Sequence, residues 1–127
     1  MISVSVSIDV PTLDEGERFY SSAFGFAKVA TPVAGVALLK AGTMTLCLLE
    51  KAAGTRPSPA GPDRRRYDRH WTPVHLDLHV DDLEATLARA TAAGARVEQR
   101  FDHAEHGSAA FCSDPFGHGF CVLSRPG

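Results

Sequence analysis

The sequence has few cysteines, no long apolar run and no strong excess of charge, and each scarcity excludes a class of protein. Three cysteines in 127 residues, with no CxxC pair, exclude a disulfide framework and predict a reducing, cytoplasmic setting. The clearest apolar run, residues 33–39, is far shorter than the ~20 residues of a membrane span. The N-terminus lacks the basic and apolar regions of a secretory signal. A net charge of −2 provides no basic field for nucleic acid. We therefore expect neither a membrane nor a nucleic-acid partner.

The first fifty residues carry the pattern of a strand, a helix and three further strands. Polar and apolar residues alternate through the first ten positions, as in a half-buried strand. Thr12 and Glu15 have the spacing of a capping box that starts a helix, and Gly25 is a residue type that ends one. The strands that follow, separated by short glycine turns, are predicted at about Lys28–Val33, Val36–Lys40 and Met44–Glu50.

A segment of different composition then interrupts the pattern. Residues 53–71 are rich in glycine and proline and contain the basic run Arg64, Arg65, Arg66 and Arg69. Such a composition predicts a linker or long loop. We expect its arginines to be solvated, and the alternative is that they recruit an anionic ligand to a cavity mouth.

The same order of elements returns after the linker. Residues 74–80 alternate again, and Asp81 or Asp82 is expected to cap a helix that ends near Gly94. Asp114-Pro115-Phe116-Gly117 has the composition of a type I turn. The buried helix face is predicted at Leu83, Leu87 and Ala90, and the strands at about Arg96–Phe101, Ser108–Ser113 and Gly119–Ser124.

The chain is thus an internal repeat of βαβββ units, an α+β arrangement. Ser5 matches His75 and Val10 matches Val80, each pair 70 residues apart. In each half, the apolar side of the first strand is expected beneath the helix, which leaves a polar side for water or for a cavity between two curved sheets. These polar sides carry Ser5, Ser7 and Asp9 in the first half, and His75, Asp77 and His79 in the second.

The chain resembles the vicinal oxygen chelate superfamily, which includes glyoxalase I, bleomycin-resistance proteins, fosfomycin-resistance enzymes and extradiol dioxygenases. The resemblance implies a single domain over residues 1–127, with a module at about 1–52, a linker at about 53–71 and a module at about 72–127. It also implies curved sheets that form a cavity, and a homodimer. The motifs that carry it are Arg18-Phe19-Tyr20, Phe24-Gly25-Phe26, the segment Val74–Leu83 and Asp114-Pro115-Phe116-Gly117.

The metal ligands of this superfamily are largely missing. Its metal enzymes take a histidine from the first strand of each module and a glutamate from one or both last strands. These positions fall on Ser5, His75 and Cys121, and near Cys47. Serine and cysteine do not supply the oxygen ligands that Mg²⁺ or Mn²⁺ prefers. The resemblance therefore predicts no usual divalent metal and no favoured cofactor, with a metal at His75 as the alternative.

Other uses of these residues remain open. His75 and Asp77, about 6.6 Å apart at Cα, are expected to hydrogen-bond, to share an ion or to be hydrated. Cys47 and Cys121 face each other in the pseudo-symmetric arrangement. We interpret them as small buried residues, with a zinc site including His75 or a nucleophile activated by it as alternatives. Trp71 is expected to pack on the core edge, or to stack on a planar ligand as aromatic residues do in bleomycin-resistance-type relatives.

The combined prediction is a protein that binds a small organic molecule in a sheet-lined cavity without the usual metal. The alternative is a metal-dependent lyase, isomerase or dioxygenase that uses His75 with non-standard ligands, and a third hypothesis is an interaction domain. His103 and His106 are interpreted as loop histidines. The expected ligand-binding residues are Ser5, Ser7, Asp9, Cys47, Trp71, His75, Asp77, His79 and Cys121.

Overall fold

In the computed structural model, which describes residues 1–126, both halves fold as predicted into a βαβββ module. The α+β arrangement of two tandem modules is therefore confirmed. The first module contains β1 (Ser5–Val10), α1 (Leu13–Phe24), β2 (Ala27–Ala30), β3 (Val36–Ala41) and β4 (Met44–Glu50). The second contains β5 (Leu76–Val80), α2 (Leu83–Ala92), β6 (Arg96–His103), β7 (Gly107–Ser113) and β8 (Gly119–Ser124).

Each module forms its own open sheet of four strands. The strand orders are β1-β4-β3-β2 and β5-β8-β7-β6. The first strand of each module pairs in parallel with the last, because the helix carries the chain across the sheet between them. The remaining neighbours are antiparallel hairpins. The predicted glycine turns therefore form the hairpins of the first module.

The inner face of the first sheet is apolar and lies against α1. Val10, Leu46 and Leu48 are at most 2% exposed. Gly16 lets the helix approach closely, since a Cβ there would lie 2.9 Å from Cγ1 of Val10 and 3.1 Å from Cδ1 of Leu48. The two-residue period of β1 and β4 thus directs one set of side chains toward the helix and the other set away from it.

The ends of α1 confirm the predicted signals. The Thr12 side chain accepts a hydrogen bond from the Glu15 backbone N–H at 3.2 Å and donates to the Glu15 carboxylate at 3.0 Å. Glu50, at the end of β4, accepts from the Leu13 backbone N–H at 3.0 Å. Gly25 ends the helix in the left-handed region with φ +73°. The Glu50 carboxylate therefore satisfies a backbone donor at the N-terminus of α1, where the helix dipole is positive.

The second helix has the predicted buried face. Asp82, not Asp81, is its N-cap, since the Asp82 carboxylate accepts from the Ala85 backbone N–H at 3.0 Å. Helix α2 packs against β6 and β8. Its buried residues are Leu83, Thr86, Leu87 and Ala90.

Several strand limits differ from the predictions. The first strand of each module starts later than predicted, and Ile2, Val4 and Val74 lie outside them with exposures of 89%, 70% and 80%. In the first module, Ser5 pairs with Thr45, and β4 begins only one residue earlier, at Met44. Strand β4 therefore has almost no residues with which the chain before Ser5 could pair. Strand β2 ends at Ala30, short of Pro32, which has no N–H to donate to a ladder.

The chain divides into two compact units, and the linker belongs largely to the first. One unit comprises residues 1–21 and 25–67, and the other comprises residues 22–24 and the chain from Asp68 onward. No helix or strand lies between Glu50 and Leu76, as predicted. The loop is nevertheless tied to itself, because Gly54 N–H donates to the Arg65 carbonyl and Arg65 N–H donates to the Thr55 carbonyl, both at 2.8 Å. Neither helix found in residues 1–126 is long and apolar enough to cross a membrane.

The predicted turn between β7 and β8 is present and is covered by the chain that precedes β5. Gly117 N–H donates to the Asp114 carbonyl at 3.2 Å, and the buried Asp114 carboxylate accepts from the N–H groups of Phe116 and His118 at 2.9 and 3.0 Å. Gly117 has φ +84°, and a Cβ there would lie 2.1 Å from the Asp68 carbonyl oxygen. Glycine is required here for both conformation and space.

Replacing this glycine should be costly. We expect Gly117→Ala to lower the free energy of unfolding by about 3 kcal/mol, because strain at positive φ adds to a backbone collision. Gly61→Ala is the matched control, since Gly61 also has φ +84° but no atom within 4 Å of its added Cβ. It should cost about 1 kcal/mol. Urea unfolding measures both values, and equal losses would contradict the close contact at Gly117.

Candidate functional site

The open face of the second sheet, the side opposite α2, gathers most of the chemically active residues. Asp77 of β5, Cys121 of β8 and Phe111 of β7 lie side by side in the strand register. Their neighbours of opposite parity, Val122 and Ala110, are fully buried on the helix side. The period of two therefore places these three side chains in one row, with His75 just before β5.

A polar cluster surrounds the Asp77 carboxylate. Nε2 of His75 lies 3.2 Å from Oδ1 of Asp77. The predicted contact between these two residues is therefore confirmed. Ligand atoms of His75, Asp77 and Cys121 all lie within 4.8 Å of one another. In a neutral His75 ring with its hydrogen on Nε2, that hydrogen would point toward the Asp77 carboxylate, which only accepts, and Nδ1 would be an acceptor.

The thiol of Cys121 is held in its protonated form. Cys121 is 7% exposed, and burial is the main cause that raises the pKa of its thiol to about 11. The negative charge of Asp77 and its hydrogen bond to the thiol raise this pKa further. A thiol of this kind is a poor nucleophile near neutral pH. The alternative of a cysteine nucleophile activated by His75 is therefore disfavoured.

Two phenylalanine rings extend the cluster across the open face. Phe111 is 38% exposed and Phe101 is 46% exposed, which is high for residues on neighbouring strands of a sheet. Their ring centroids are 6.3 Å apart in an edge-to-face arrangement, and the His75 ring lies 5.7 Å from Phe111. Residues 108–113 show no clear alternation of polar and apolar residues, so the sequence pattern does not predict that Phe111 lies on this face.

An ion pair covers one end of this face. Nε and Nη2 of Arg69 lie 2.7 and 3.0 Å from the two carboxylate oxygens of Glu98. The hydrogen bond from Arg69 is the main cause that holds the pKa of Glu98 below its usual value. A Cβ on Gly119 would lie 3.0 Å from Nη2 of Arg69. A small residue at position 119 thus makes room for the guanidinium.

The first sheet presents a different surface. Ser7 lies beside Cys47 in the register, just as Asp77 lies beside Cys121, so Cys47 and Cys121 occupy equivalent positions in their modules. Ser5 and Ser7 are exposed and Cys47 is half-buried. The two cysteines belong to different units, so the prediction that they face each other stays a prediction.

Asp9, expected to contact a ligand, pairs with the linker. Nε of Arg65 lies 2.8 Å from Oδ2 of Asp9, and the Arg65 side chain is only 15% exposed. Burial is the main cause that raises the pKa of nearby Tyr67, and the charge of Asp9 adds to it. The prediction that the arginine run is solvated is therefore wrong for Arg65, whereas Arg69 stays 41% exposed while it pairs with Glu98.

Two other predicted residues are not members of the cluster of His75, Asp77 and Cys121. Trp71 is 80% exposed, so the expectation that it packs on the core edge is wrong. Thr72 and Pro73, which follow Trp71, have no regular structure. The segment therefore contains no strand against which the indole could pack. His79 lies further along β5 and lines a cavity that Phe101 also lines.

The residues at the superfamily's ligand positions do not fit a hard divalent ion. His75 is engaged by Asp77, and Cys121 holds its proton tightly. Mg²⁺ and Mn²⁺ prefer oxygen ligands, of which the cluster around Asp77 offers one carboxylate. A zinc-type ion, which accepts imidazole, carboxylate and thiolate, matches the three side chains better, provided that the thiol loses its proton.

Comparisons with known proteins agree with this fold. A family model described as a glyoxalase-like domain matches residues 5–123. A search of curated proteins found no match. The fosfomycin resistance protein FosX of Listeria monocytogenes is 15% identical with a TM-score of 0.73, covering 98% of this chain and 94% of its own. A FosX structure of the same organism contains Mn(II) and a dihydroxypropylphosphonic acid.

Two further structures are similar over nearly the whole chain. A glyoxalase-related enzyme from Fulvimarina pelagi is 18% identical with a TM-score of 0.74, and the match covers 99% of this chain and 90% of that one. Lactoylglutathione lyase from Agrobacterium tumefaciens is 19% identical with a TM-score of 0.65, and the match covers 96% and 92%. At these identities the likeness establishes the fold and leaves the chemistry to the residues of the chain itself.

The arrangement around Asp77 predicts the reactivity of the cysteines. With a pKa of about 11, about one Cys121 thiol in a thousand is ionised at pH 8, so alkylation by iodoacetamide should be slow and should accelerate as pH rises toward 11. Asp77→Asn removes the charge that raises this pKa, and we expect severalfold faster alkylation of Cys121 at pH 8.

Mass spectrometry of the labelled peptides measures this reactivity. Cys112 is the internal control, because it is fully buried and burial is the main cause that raises its pKa to about 11, with no contribution from Asp77. Its labelling should not change in Asp77→Asn. An unchanged or slower reaction at Cys121 in that variant would contradict the hydrogen bond to Asp77.

Proposed function

Because the chain belongs to the glyoxalase-like domain family of the vicinal oxygen chelate superfamily, we propose that it binds a small organic molecule on the open face of the second sheet. The observation that carries the proposal is the pair of exposed rings, Phe101 and Phe111, beside the polar cluster around Asp77. Binding pockets for small molecules combine aromatic walls with a few placed polar groups.

The side chains define the chemistry of the ligand. A flat ring would pack against Phe111, a contact that contributes about 0.5–1.5 kcal/mol beyond area burial. The Asp77 carboxylate accepts hydrogen bonds, and Nδ1 of His75 is a second acceptor in the neutral ring. The ligand class that fits best is therefore a planar heteroaromatic molecule that carries N–H or O–H donors.

Recognition in this proposal does not use the usual divalent metal of the superfamily. Its ligand positions hold Ser5, His75, Cys47 and Cys121, and the cluster offers too few oxygen ligands for Mg²⁺ or Mn²⁺. The protein would then sequester or retain its ligand, as a resistance-type protein does. The small phosphonic acid in the FosX structure supports a small-molecule role for this fold.

The proposal includes a homodimer, as the family implies. Large apolar side chains are exposed just before the first strand of both modules, with Val4 at 70% and Val74 at 80%. The two are 70 residues apart and occupy equivalent places in the repeat. Exposed apolar side chains at such positions support contact with a second copy of the chain.

A second candidate is a metal-dependent lyase, isomerase or dioxygenase. The observation that favours it is the convergence of His75, Asp77 and Cys121 within 4.8 Å, which gives three ligands and leaves an open position for substrate. His79 and Trp71 do not belong to this group of three. This candidate requires a zinc-type ion, since the cluster does not suit a harder one.

The leading proposal predicts a specific thermal response. In a screen of planar aromatics, thiol conjugates and antibiotics, a heteroaromatic donor should raise the melting temperature by several degrees, because a ligand of the native state stabilises it by mass action. Phe111→Ala should weaken its affinity about tenfold. Val29→Ala, which alters an exposed apolar residue of the first sheet, is the control and should leave the affinity unchanged. Equal losses in both variants would contradict binding on the second sheet.

Metal analysis separates the two candidates. If the first is correct, protein purified without chelator should contain no stoichiometric metal, and added Zn²⁺ should not raise its melting temperature. Stoichiometric zinc that is lost in His75→Ala would replace the ligand-sequestering proposal with the metal-dependent one. His118→Ala removes an imidazole elsewhere in the same unit and controls for the loss of a histidine as such.

A further inference from the structure

The second unit contains a cavity of about 540 Å³ at the end of the sheet where β6 turns into β7. We propose that this cavity, here called the hairpin cavity, binds an organic anion, that is, a carboxylate or phosphate carried on an apolar group. The residues that determine this chemistry are His79, Phe101, His103, His106, Leu123 and Arg125.

The floor of the hairpin cavity is apolar. Phe101, Ala109 and Leu123 line it from three neighbouring strands, and Ala109 is directly paired with both of the others. Nearly half of the Phe101 side chain is exposed. A small side chain at position 109 between two larger ones leaves a hollow in which an apolar group could lie. This surface favours a ligand with an organic body over a bare inorganic ion.

The rim of the cavity supplies hydrogen-bond donors. The backbone N–H of Glu105 donates to Nδ1 of His103 at 3.3 Å, so the hydrogen of the neutral ring is on Nε2 and that atom is a donor. The His106 ring lies 4.4 Å from the His103 ring, centroid to centroid. The Arg125 guanidinium forms no ion pair with any carboxylate of residues 1–126.

The cavity is lined by one basic and one acidic side chain. Asp81 is the acidic residue among the lining residues, which also include one arginine and three histidines. Asp102 is close in sequence but is already engaged. The hydrogen bond from Ser108 is the main cause that lowers the pKa of Asp102, and Nη2 of Arg100 lies 3.4 Å from Oδ1 of Asp102. Arg125 and Asp81 therefore offset each other in formal charge, and Arg125 is the lining residue that supplies a positive charge to an anion.

A metal ion fits the histidines less well. A ring that binds a metal through Nε2 carries its hydrogen on Nδ1, and in His103 that hydrogen would meet the N–H of Glu105. Within residues 1–126, the group that brings three metal-type ligand atoms together is the one around Asp77, and it contains none of the cavity histidines. The histidines of the hairpin cavity are thus better suited to donate than to coordinate.

The hairpin cavity shares the ring of Phe101 with the surface proposed above, but its polar groups differ from those around Asp77. His75 and His79 are four residues apart along one strand, a Cα separation of about 13 Å. The proposed anion site also uses Arg125 and the β6–β7 hairpin, which the cluster does not use. The two proposals are told apart by their variants, since Arg125→Gln alters only the hairpin cavity and Phe111→Ala alters the surface beside Asp77.

Titration calorimetry with phenyl phosphate and phenylacetate tests the proposal directly. Both anions should bind saturably to the wild-type protein. Benzyl alcohol, which keeps the ring without the charge, and inorganic phosphate, which keeps the charge without the ring, should each bind at least tenfold more weakly. Absence of saturable binding of both aromatic anions at millimolar concentration would overturn the proposal, and so would equal binding of benzyl alcohol.

Matched variants locate the site. Arg125→Gln should weaken phenyl phosphate about tenfold, as expected for the loss of a charge-assisted hydrogen bond. Arg64→Gln removes the same charge from an exposed position of the linker and should have no effect. Asp81→Asn should tighten binding, because it removes a repulsive charge from the rim. Equal effects of the two arginine variants, or weaker binding in Asp81→Asn, would overturn the assignment of an anion to this cavity.

Discussion

The period of two along each strand, combined with a helix on one side of each sheet, is the constraint on which the other features depend. It buries Val10 and Leu48 against α1 and Val122 on the side of α2, and so fixes which side chains remain on the opposite side. A slip of one residue would exchange the two sets. The same constraint acts twice, yet the first sheet directs Ser7 and Cys47 outward where the second directs Asp77 and Cys121. The duplication therefore conserves the scaffold and changes the chemistry.

Asp77 determines the character of the second sheet. Its Oδ1 atom lies 3.2 Å from Nε2 of His75, and the carboxylate accepts a hydrogen bond from the Cys121 thiol, so one acidic residue contacts an imidazole and helps to keep a thiol protonated. A buried thiol without that neighbour would already resist ionisation, and the carboxylate reinforces the effect. This arrangement supports hydrogen bonding to a ligand more readily than coordination of a hard cation. The two phenylalanine rings beside it supply the apolar surface that such a ligand needs.

Local sequence patterns predict most of the fold, but they do not predict contacts between residues that are distant in sequence. The limits of β4 and β8 agree with the prediction, because sharp glycine turns border both strands, and the caps at Thr12 and Asp82 follow from residues three apart. The contact between His75 and Asp77 follows from their spacing on one face. By contrast, Arg69 and Glu98 are 29 residues apart and Asp9 and Arg65 are 56 apart, and no local pattern connects either pair. The exposed rings were missed for a related reason, since only the strand register shows that Phe111 lies beside Cys121.

The central claim is that the chain recognises an organic molecule directly with the side chains around Asp77. A crystal structure of the protein with a heteroaromatic ligand that stabilises it tests this claim most directly. The ligand ring should pack against Phe111 and donate a hydrogen bond to the Asp77 carboxylate or to Nδ1 of His75. A ligand held through a metal ion that His75, Asp77 and Cys121 coordinate, or one bound away from the open face of the second sheet, would contradict it.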